Sequence, residues 1–170
     1  FNGASDTCVA LTDAFYKGSL CVPEGKTVTL DLNGFTLDRA LSSAFNESRV
    51  ITVRGTLTIT DSSTNGGGMI TGGNSGSHSG AGIHCGGVIN FQRGNISGNT
   101  GANGGGVDIQ SNGKFVMSGG TISNNIAGQE NAGGLGGGVY IQSNGIFTMT
   151  GGEITQNTAT YNSTTGEGGL

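Results

Sequence analysis

Two nearly identical segments constrain the fold of this chain more than any other feature. The segment GGGVDIQSNGKFVMSGGTISNN runs from Gly104 to Asn125, and GGGVYIQSNGIFTMTGGEITQN runs from Gly136 to Asn157, 32 residues later. A repeat period between about 20 and 50 residues is typical of solenoids, propellers and arrays. The pattern inside each copy decides among these architectures.

Each copy consists of short runs in which apolar and polar residues alternate, with glycine or asparagine between the runs. In the second copy the runs are Val139–Ile141, Phe147–Met149 and the segment around Ile154, and the corners are Asn144-Gly145 and Gly151-Gly152. Alternation with a period of two is typical of strands and not of helices. The pattern predicts one three-strand coil of a parallel β-helix, whose strands pair with those of the next coil about 4.8 Å away.

Weaker copies of the same pattern lie upstream and extend the array to about five coils. Residues that share a position in successive coils should form inward columns, because like residues stacked on like residues bury a continuous core. The predicted columns are Leu30/Val53/Cys85/Ile109/Ile141, Phe35/Leu57/Ile89/Phe115/Phe147 and Ile70/Ile96/Ile122/Ile154.

Three asparagines, Asn99, Asn125 and Asn157, recur at one corner of the coil. A buried amide needs hydrogen-bond partners. We therefore expect an asparagine ladder in which each side chain bonds the coils above and below it. We interpret these residues as structural and not as ligands of a bound molecule.

The N-terminal segment differs from the repeats and predicts a cap. We expect residues 1–26 to form this cap, as a helix followed by a strand, and residues 27–170 to form the β-helix array. Ser5 or Asp6 can start a short amphipathic helix, and Gly18 can end it. Such a helix would cover the open strand edges of the first coil.

Cysteine spacing bears on how the cap is held and on the compartment. The chain has three cysteines, Cys8, Cys21 and Cys85. A Cys8–Cys21 disulfide would fasten the cap and would fit an oxidising compartment. Three reduced thiols are the alternative. Cys85 occupies an inward column, which favours a core residue over a nucleophile.

The C-terminal residues indicate a continuing array. Gly168-Gly169-Leu170 repeats Gly133-Gly134-Leu135, which directly precedes the second copy. Solenoid ends normally carry a cap, and none is recognisable after Asn157. We expect the array to continue beyond this segment, or its end to stack on another molecule.

Composition excludes several classes of function. The net charge is −4 and only 11% of residues are charged, so the chain carries no basic patch for nucleic acid. No apolar run approaches the length of a membrane span. The 36 glycines occur without a Gly-X-Y period and without a phosphate-binding motif, so we expect no cofactor. Richness in Asn, Ser, Thr and Gly is common in extracellular and cell-surface proteins.

Two motifs carry a resemblance to known families. The segment TVTLDLNGFTL (Thr27–Leu37), after Pro23-Glu24-Gly25-Lys26, resembles the opening coil of right-handed parallel β-helix, pectate-lyase-like surface proteins. The GGGV(D/Y)I repeat is similar to those of bacterial adhesin-like proteins. It is distantly similar to repeats of polymorphic outer membrane proteins, although their F-x-x-N signature is absent.

The resemblance covers about residues 20–170 and implies a fold more than an activity. That fold is all-β, a right-handed parallel β-helix. Such helices occur in lyases, hydrolases, adhesins and passive stalks.

The outward positions of the first strand hold the most reactive cluster in the chain. This column is Thr29 or Asp31, followed by Thr52, His84, Asp108 and Tyr140, and Gln110 and Gln142 lie beside it. Histidine and aspartate can exchange protons, and an exposed tyrosine can stack on a sugar. A merely solvated polar sheet is the simplest reading, and contact with a glycan or protein ligand is the functional one.

Catalytic and metal-binding patterns are missing from the sequence. Glycoside hydrolysis normally needs two carboxylates that flank the scissile bond, and Glu153 stands alone on its strand. A carboxylate cage for Ca²⁺ is also absent. We therefore predict no catalytic residue and no metal ligand.

These observations favour a non-enzymatic extracellular module of a surface adhesin or stalk that contacts glycans or matrix proteins. Two alternatives stay open. The chain can be part of a carbohydrate-active enzyme whose catalytic coils lie wholly or partly beyond Leu170, or a filament subunit whose uncapped coils stack end to end.

Overall fold

The computed structural model describes residues 6–10 as backbone, and residues 19–41, 48–128 and 133–160 with their side chains. All regular structure in these ranges is β-strand. In chain order the strands are β1 (Asp6–Ala10), β2 (Leu20–Val22), β3 (Thr27–Asp31), β4 (Thr36–Asp38), β5 (Ile51–Val53), β6 (Thr56–Thr60), β7 (Met69–Thr71), β8 (Ile83–Cys85), β9 (Val88–Phe91), β10 (Asn95–Ser97), β11 (Thr100–Gly101), β12 (Val107–Ile109), β13 (Lys114–Met117), β14 (Thr121–Ser123), β15 (Ile126–Ala127), β16 (Val139–Ile141), β17 (Ile146–Met149), β18 (Glu153–Thr155) and β19 (Thr158–Ala159).

The strands form four sheets in which the neighbouring strands are parallel and come from successive coils. Sheet 1 has the order β2-β5-β8-β12-β16, and sheet 2 has the order β1-β3-β6-β9-β13-β17. Sheet 3 has the order β4-β7-β10-β14-β18, and sheet 4 has the order β11-β15-β19. Parallel pairing of each strand with its counterpart one coil away defines a parallel β-solenoid, consistent with the predicted parallel β-helix. The all-β prediction is confirmed.

The core runs along the axis as columns of apolar residues that face inward. Strand pairing defines the columns as Val22/Val53/Cys85/Ile109/Ile141, Val28/Leu57/Ile89/Phe115/Phe147, Leu30/Ile59/Phe91/Met117/Met149 and Leu37/Ile70/Ile96/Ile122/Ile154. The Phe115 ring lies 6.1 Å from that of Phe91 and 5.8 Å from that of Phe147, centroid to centroid, in tilted contact.

The predicted columns were wrong in the first coil. Leu30 pairs with Ile59 in sheet 2 and not with Val53. Val28, and not Phe35, pairs with Leu57, and Leu37 pairs with Ile70 in sheet 3. The first strand of this coil is Leu20–Val22, which the sequence pattern had assigned to the cap. The Pro23–Lys26 turn packs on the Arg54-Gly55 corner of the next coil, because a Cβ on Gly55 would lie 2.3 Å from the carbonyl oxygens of Pro23 and Lys26.

The predicted N-terminal helix is not seen in the described residues. Asp6–Ala10 is a strand, β1, that pairs in parallel with all of Thr27–Asp31. The edge of β3 that faces away from β6 offers unpaired backbone groups, and a short segment containing Thr and Val satisfies them. The rest of the predicted helix, Ser5 and residues 11–18, lies outside the described residues.

Sheet 4 was missing from the sequence prediction. It is made of two-residue strands that directly follow the recurring asparagines, and Ala127 within it is fully buried. Each of the last three coils therefore carries a fourth short strand after the asparagine corner.

The asparagine corner carries a continuous chain of hydrogen bonds. Asn99 Nδ2 donates to Asn125 Oδ1 (3.0 Å), and Asn125 Nδ2 donates to Asn157 Oδ1 (2.9 Å). The backbone N–H groups of Asn99 and Asn125 donate to the same two oxygens. Asn99 and Asn125 are fully buried, so these bonds replace the water that the amides give up.

The glycine that closes each triplet packs against this ladder. A Cβ on Gly106 would lie 2.9 Å from Asn125 Nδ2, and one on Gly138 would lie 2.8 Å from Asn157 Nδ2. The glycine before it has a second constraint, because a Cβ on Gly105 would lie 2.2 Å from the carbonyl oxygen of Ile126. The triplets therefore let the chain enter sheet 1 across the buried corner.

Replacing Asn125 with alanine should destabilise the whole stack. The substitution removes the acceptor for two Asn99 donors and the donor to Ile96 O, so buried polar groups lose their partners. We expect a loss of about 2–4 kcal/mol in the free energy of unfolding. Urea denaturation of Asn125→Ala checks this value against Asn90→Ala, an outward strand position. Equal stability of the two variants would contradict a structural role for the ladder.

Two carboxylates hold the corner after β3 and β6. Asp61 is buried and accepts hydrogen bonds from the backbone N–H groups of Gly34, Ser63 and Gly68. Burial raises the pKa of Asp61, but the bonds from Ser63, Gly68 and Gly34 together outweigh burial, and the pKa lies below its ordinary value. Burial likewise raises the pKa of Asp31, and bonds from Ser62 and Asn33 lower it further than burial raises it.

The lowered pKa values predict a loss of stability in acid. A carboxylate with a lowered folded-state pKa contributes its full stability above the unfolded pKa of about 3.9, and that contribution is lost as the pH falls through the folded value. Asp61→Asn places an amide NH₂ among backbone donors, so it should lower stability at pH 7 and flatten the acid limb. Urea unfolding between pH 7 and pH 2 measures both effects, with Glu153→Gln, an exposed position, as the control. An unchanged acid limb in Asp61→Asn would contradict this assignment.

Candidate functional site

Sheet 1 aligns the residues of the predicted polar column. His84 pairs with Asp108 across β8 and β12, and Asp108 pairs with Tyr140 across β12 and β16. Thr52 pairs with His84 on the other side, and Cys21 pairs with Thr52. Cys21 therefore holds the first-coil position that the sequence pattern had assigned to Thr29 or Asp31. We call the outward column Cys21, Thr52, His84, Asp108 and Tyr140 the sheet 1 strip.

Asp108 is the fixed centre of the sheet 1 strip. Its side chain has no exposed surface, and the amide of Gln110 donates to Oδ2 while the amide of Gln142 donates to Oδ1 at 3.1 Å. His84 Nδ1 lies 3.2 Å from Asp108 Oδ2, but the contact lacks hydrogen-bond geometry. Both carboxylate oxygens of Asp108 therefore accept a glutamine amide, and these bonds hold the two glutamine side chains in place.

A glycine explains why Asp108 is buried. Gly80 has a φ of +74°, and a Cβ there would lie 2.9 Å from Asp108 Cβ and 3.2 Å from His84 Cα. Only a residue without a side chain lets the loop backbone pack this closely against the Asp108 side chain. The sequence predicted an exposed Asp108, because the loop that covers it left no signal in the strand pattern.

Apart from Cys21, the accessible groups on the strip and of the two glutamines beside it are polar or aromatic. Tyr140, Gln110 and Gln142 are half-buried, and 21% of the His84 side chain is exposed. Their positions are set by parallel pairing and by the two amide bonds to Asp108. Rigid polar groups beside an aromatic ring are the usual composition of a site that binds a polar ligand.

A groove continues the strip toward the first coil. It has a volume of about 570 Å³, and its lining includes Cys21, Arg49, Thr52, Arg54, His84 and Gln110. Arg49 Nε donates to the carbonyl oxygen of Ser79 (3.0 Å), which orients the guanidinium group. Sequence reasoning missed both arginines. Arg54 immediately follows Val53 at a corner next to the polar column, and that adjacency was the available signal.

The structure separates two of the three cysteines by environment. Cys85 is fully buried in the sheet 1 core column, and burial raises the pKa of its thiol to about 12. A thiol with this pKa stays protonated near neutral pH and is a poor nucleophile. Cys21 is exposed and forms no disulfide with a cysteine whose side chain is described. The side chain of Cys8 is not among those described, so the Cys8–Cys21 bridge stays a prediction.

The described residues contain no group of three or more His, Cys, Asp or Glu side chains that could hold a metal ion. No helix in the described part of the chain has the length and apolar composition that a membrane crossing requires.

Comparison of the chain with protein-family models, curated proteins and solved structures found no match. The candidate site is therefore defined by the geometry of the sheet 1 strip and its groove.

Thiol reactivity should distinguish the environments of the cysteines. In a Cys8→Ser/Cys21→Ser variant the only thiol is Cys85, and we expect no reaction with Ellman's reagent until the protein is unfolded. The matched variant Cys8→Ser/Cys85→Ala leaves only Cys21, which should react in the native state because it is exposed. Native Cys85 that reacts as fast as native Cys21 would contradict a buried, protonated thiol.

Proposed function

We propose that this chain is a non-enzymatic extracellular β-helix module of a surface adhesin or stalk, and that its sheet 1 strip and groove bind a glycan. The observation that carries the proposal is the half-buried Tyr140, aligned with His84 and flanked by the two glutamines that Asp108 holds. A tyrosine face beside fixed amide and imidazole groups offers stacking to a sugar ring and hydrogen bonds to its hydroxyl groups.

The non-enzymatic part of the proposal is supported by the state of the reactive groups. Asp108 has no exposed surface and accepts two glutamine bonds, so it is poorly placed to exchange a proton with a bound substrate. Cys85 is buried and protonated. The strip is therefore better suited to holding a ligand than to transforming it.

We further propose that the coil is right-handed, because about 98% of crossover connections between parallel strands of one sheet are right-handed. This hand agrees with the resemblance of Thr27–Leu37 to pectate-lyase-like surface proteins. The abundance of Asn, Ser, Thr and Gly supports an extracellular location.

Binding to an array of glycans and matrix proteins tests the proposal directly. We expect the labelled chain to be retained on glycan spots without cleaving them. Tyr140→Ala should weaken that binding roughly tenfold, because aromatic anchors commonly contribute more than 1 kcal/mol to binding. Thr148→Ala is the matched control, since Thr148 is an exposed outward residue of the same coil on sheet 2.

Three results would contradict the proposal in different ways. Cleavage of a retained glycan would indicate a carbohydrate-active enzyme. Retention on matrix proteins alone would replace the glycan with a protein ligand. Equal weakening by Tyr140→Ala and Thr148→Ala would show that the strip is not the binding surface.

A further inference from the structure

The groove beside the sheet 1 strip concentrates positive charge in a chain whose net charge is −4. Its lining contains two of the seven Lys and Arg residues of the chain, Arg49 and Arg54, together with His84. None of the described residues that line the groove is Asp or Glu. A cleft lined by charge of one sign raises the local concentration of ligands of the opposite sign. The groove therefore favours an anionic ligand over a neutral or cationic one.

The two arginines of the groove differ in their surroundings. Arg49 is half-buried, and the bond from its Nε to the carbonyl oxygen of Ser79 orients its guanidinium group. Arg54 is exposed, and its side chain forms no ion pair with a described carboxylate. A guanidinium group presents its N–H donors in a planar fork that fits the oxygens of a carboxylate or of a tetrahedral oxyanion. Arg54 is therefore the residue best placed to bind such a group.

Strand order gives the distance between this charge and the aromatic end of the strip. Arg54 follows β5, and Tyr140 lies on β16, three strands further along sheet 1. Neighbouring strands are about 4.8 Å apart, so the two residues are separated by about 14 Å along the solenoid axis. Gln110 lies between them and donates its amide NH₂ to Asp108, so its amide oxygen can accept a bond from a sugar hydroxyl. A ligand that reaches both ends of the strip is therefore an oligosaccharide and not a single sugar.

We propose that the ligand is an acidic oligosaccharide that lies along the solenoid axis. One of its sugar rings stacks on Tyr140, and a carboxylate or sulfate group near its other end binds Arg54 beside Arg49. This inference rests on the proposed glycan-binding function and adds the charge, the length and the direction of the ligand. Both anions offer oxygens that a guanidinium group recognises, and the test separates the two.

Calorimetric titration of the 170-residue chain with matched acidic and neutral oligosaccharides tests this proposal. The acidic probes are hyaluronan oligosaccharides, which carry carboxylates, and keratan sulfate oligosaccharides, which carry sulfates. Their neutral partners are the carboxyl-reduced and the desulfated forms, respectively. We expect one acidic probe to bind roughly tenfold more tightly than its neutral form, because the neutral form lacks the charge-assisted hydrogen bonds to arginine. This preference should shrink as the salt concentration rises.

Variants assign the preference to the groove. Arg54→Gln should abolish it and leave the affinity for the neutral form unchanged, whereas Tyr140→Ala should weaken the binding of both forms. Arg93→Gln is the matched control, since Arg93 is also an exposed arginine but lies between β9 and β10, outside the groove. Because Arg54 is exposed, its substitution should leave the fold intact, and circular dichroism checks this point.

Several outcomes would overturn the inference, and they separate it from the proposed function. Equal affinity for the acidic and neutral forms would refute it, while weaker binding of both by Tyr140→Ala would leave the proposed glycan function standing. An acidic preference that persists in Arg54→Gln, or that is also lost in Arg93→Gln, would place the responsible charge elsewhere. A monosaccharide that binds as tightly as the oligosaccharide would refute the axial placement. Binding of no acidic probe would refute the inference, and retention of neutral glycans on the array would still support the proposed function.

Discussion

The buried amide ladder of Asn99, Asn125 and Asn157 is the interaction on which the rest of the fold depends. The side-chain oxygens of Asn125 and Asn157 each accept two hydrogen bonds from the asparagine one coil earlier. One comes from its side-chain amide and the other from its backbone N–H. A one-residue slip between coils would leave buried donors without acceptors, at a cost of about 1–3 kcal/mol for each group. The ladder therefore fixes the register of the last three coils, and that register places their apolar residues in columns.

That register also builds the candidate site. His84, Asp108 and Tyr140 are far apart in sequence and become neighbours only because β8, β12 and β16 pair without a shift. Asp108 then orients Gln110 and Gln142 from beneath the surface. The accessible groups are thus positioned by backbone pairing and by the buried carboxyl group of Asp108, which no ligand needs to touch.

The sequence predicted the longer strands that repeat, but it missed features that occur once and the two-residue strands of sheet 4. The alternation in Val139–Ile141 and Phe147–Met149 was sufficient to predict the parallel stack. A period of two residues indicates strands, and the longer repeat indicates that equivalent strands lie in successive coils. Asp6–Ala10 was predicted to be helical but forms a strand, because it is a single copy of a short run and pairing across the stack overrides local propensity. The burial of Asp108 was missed because a loop backbone, at Gly80, causes it.

The spacing of the ladder shows how such a molecule can tolerate changes in length. Asn99 and Asn125 are 26 residues apart, and Asn125 and Asn157 are 32 residues apart, yet the same bonds join both pairs. The additional residues between Asn125 and Asn157 lie between β15 and β16, after the asparagine corner. Insertions at this point change the surface without changing the axial rise, so mutation can diversify one side of the rod while the distance it spans stays constant.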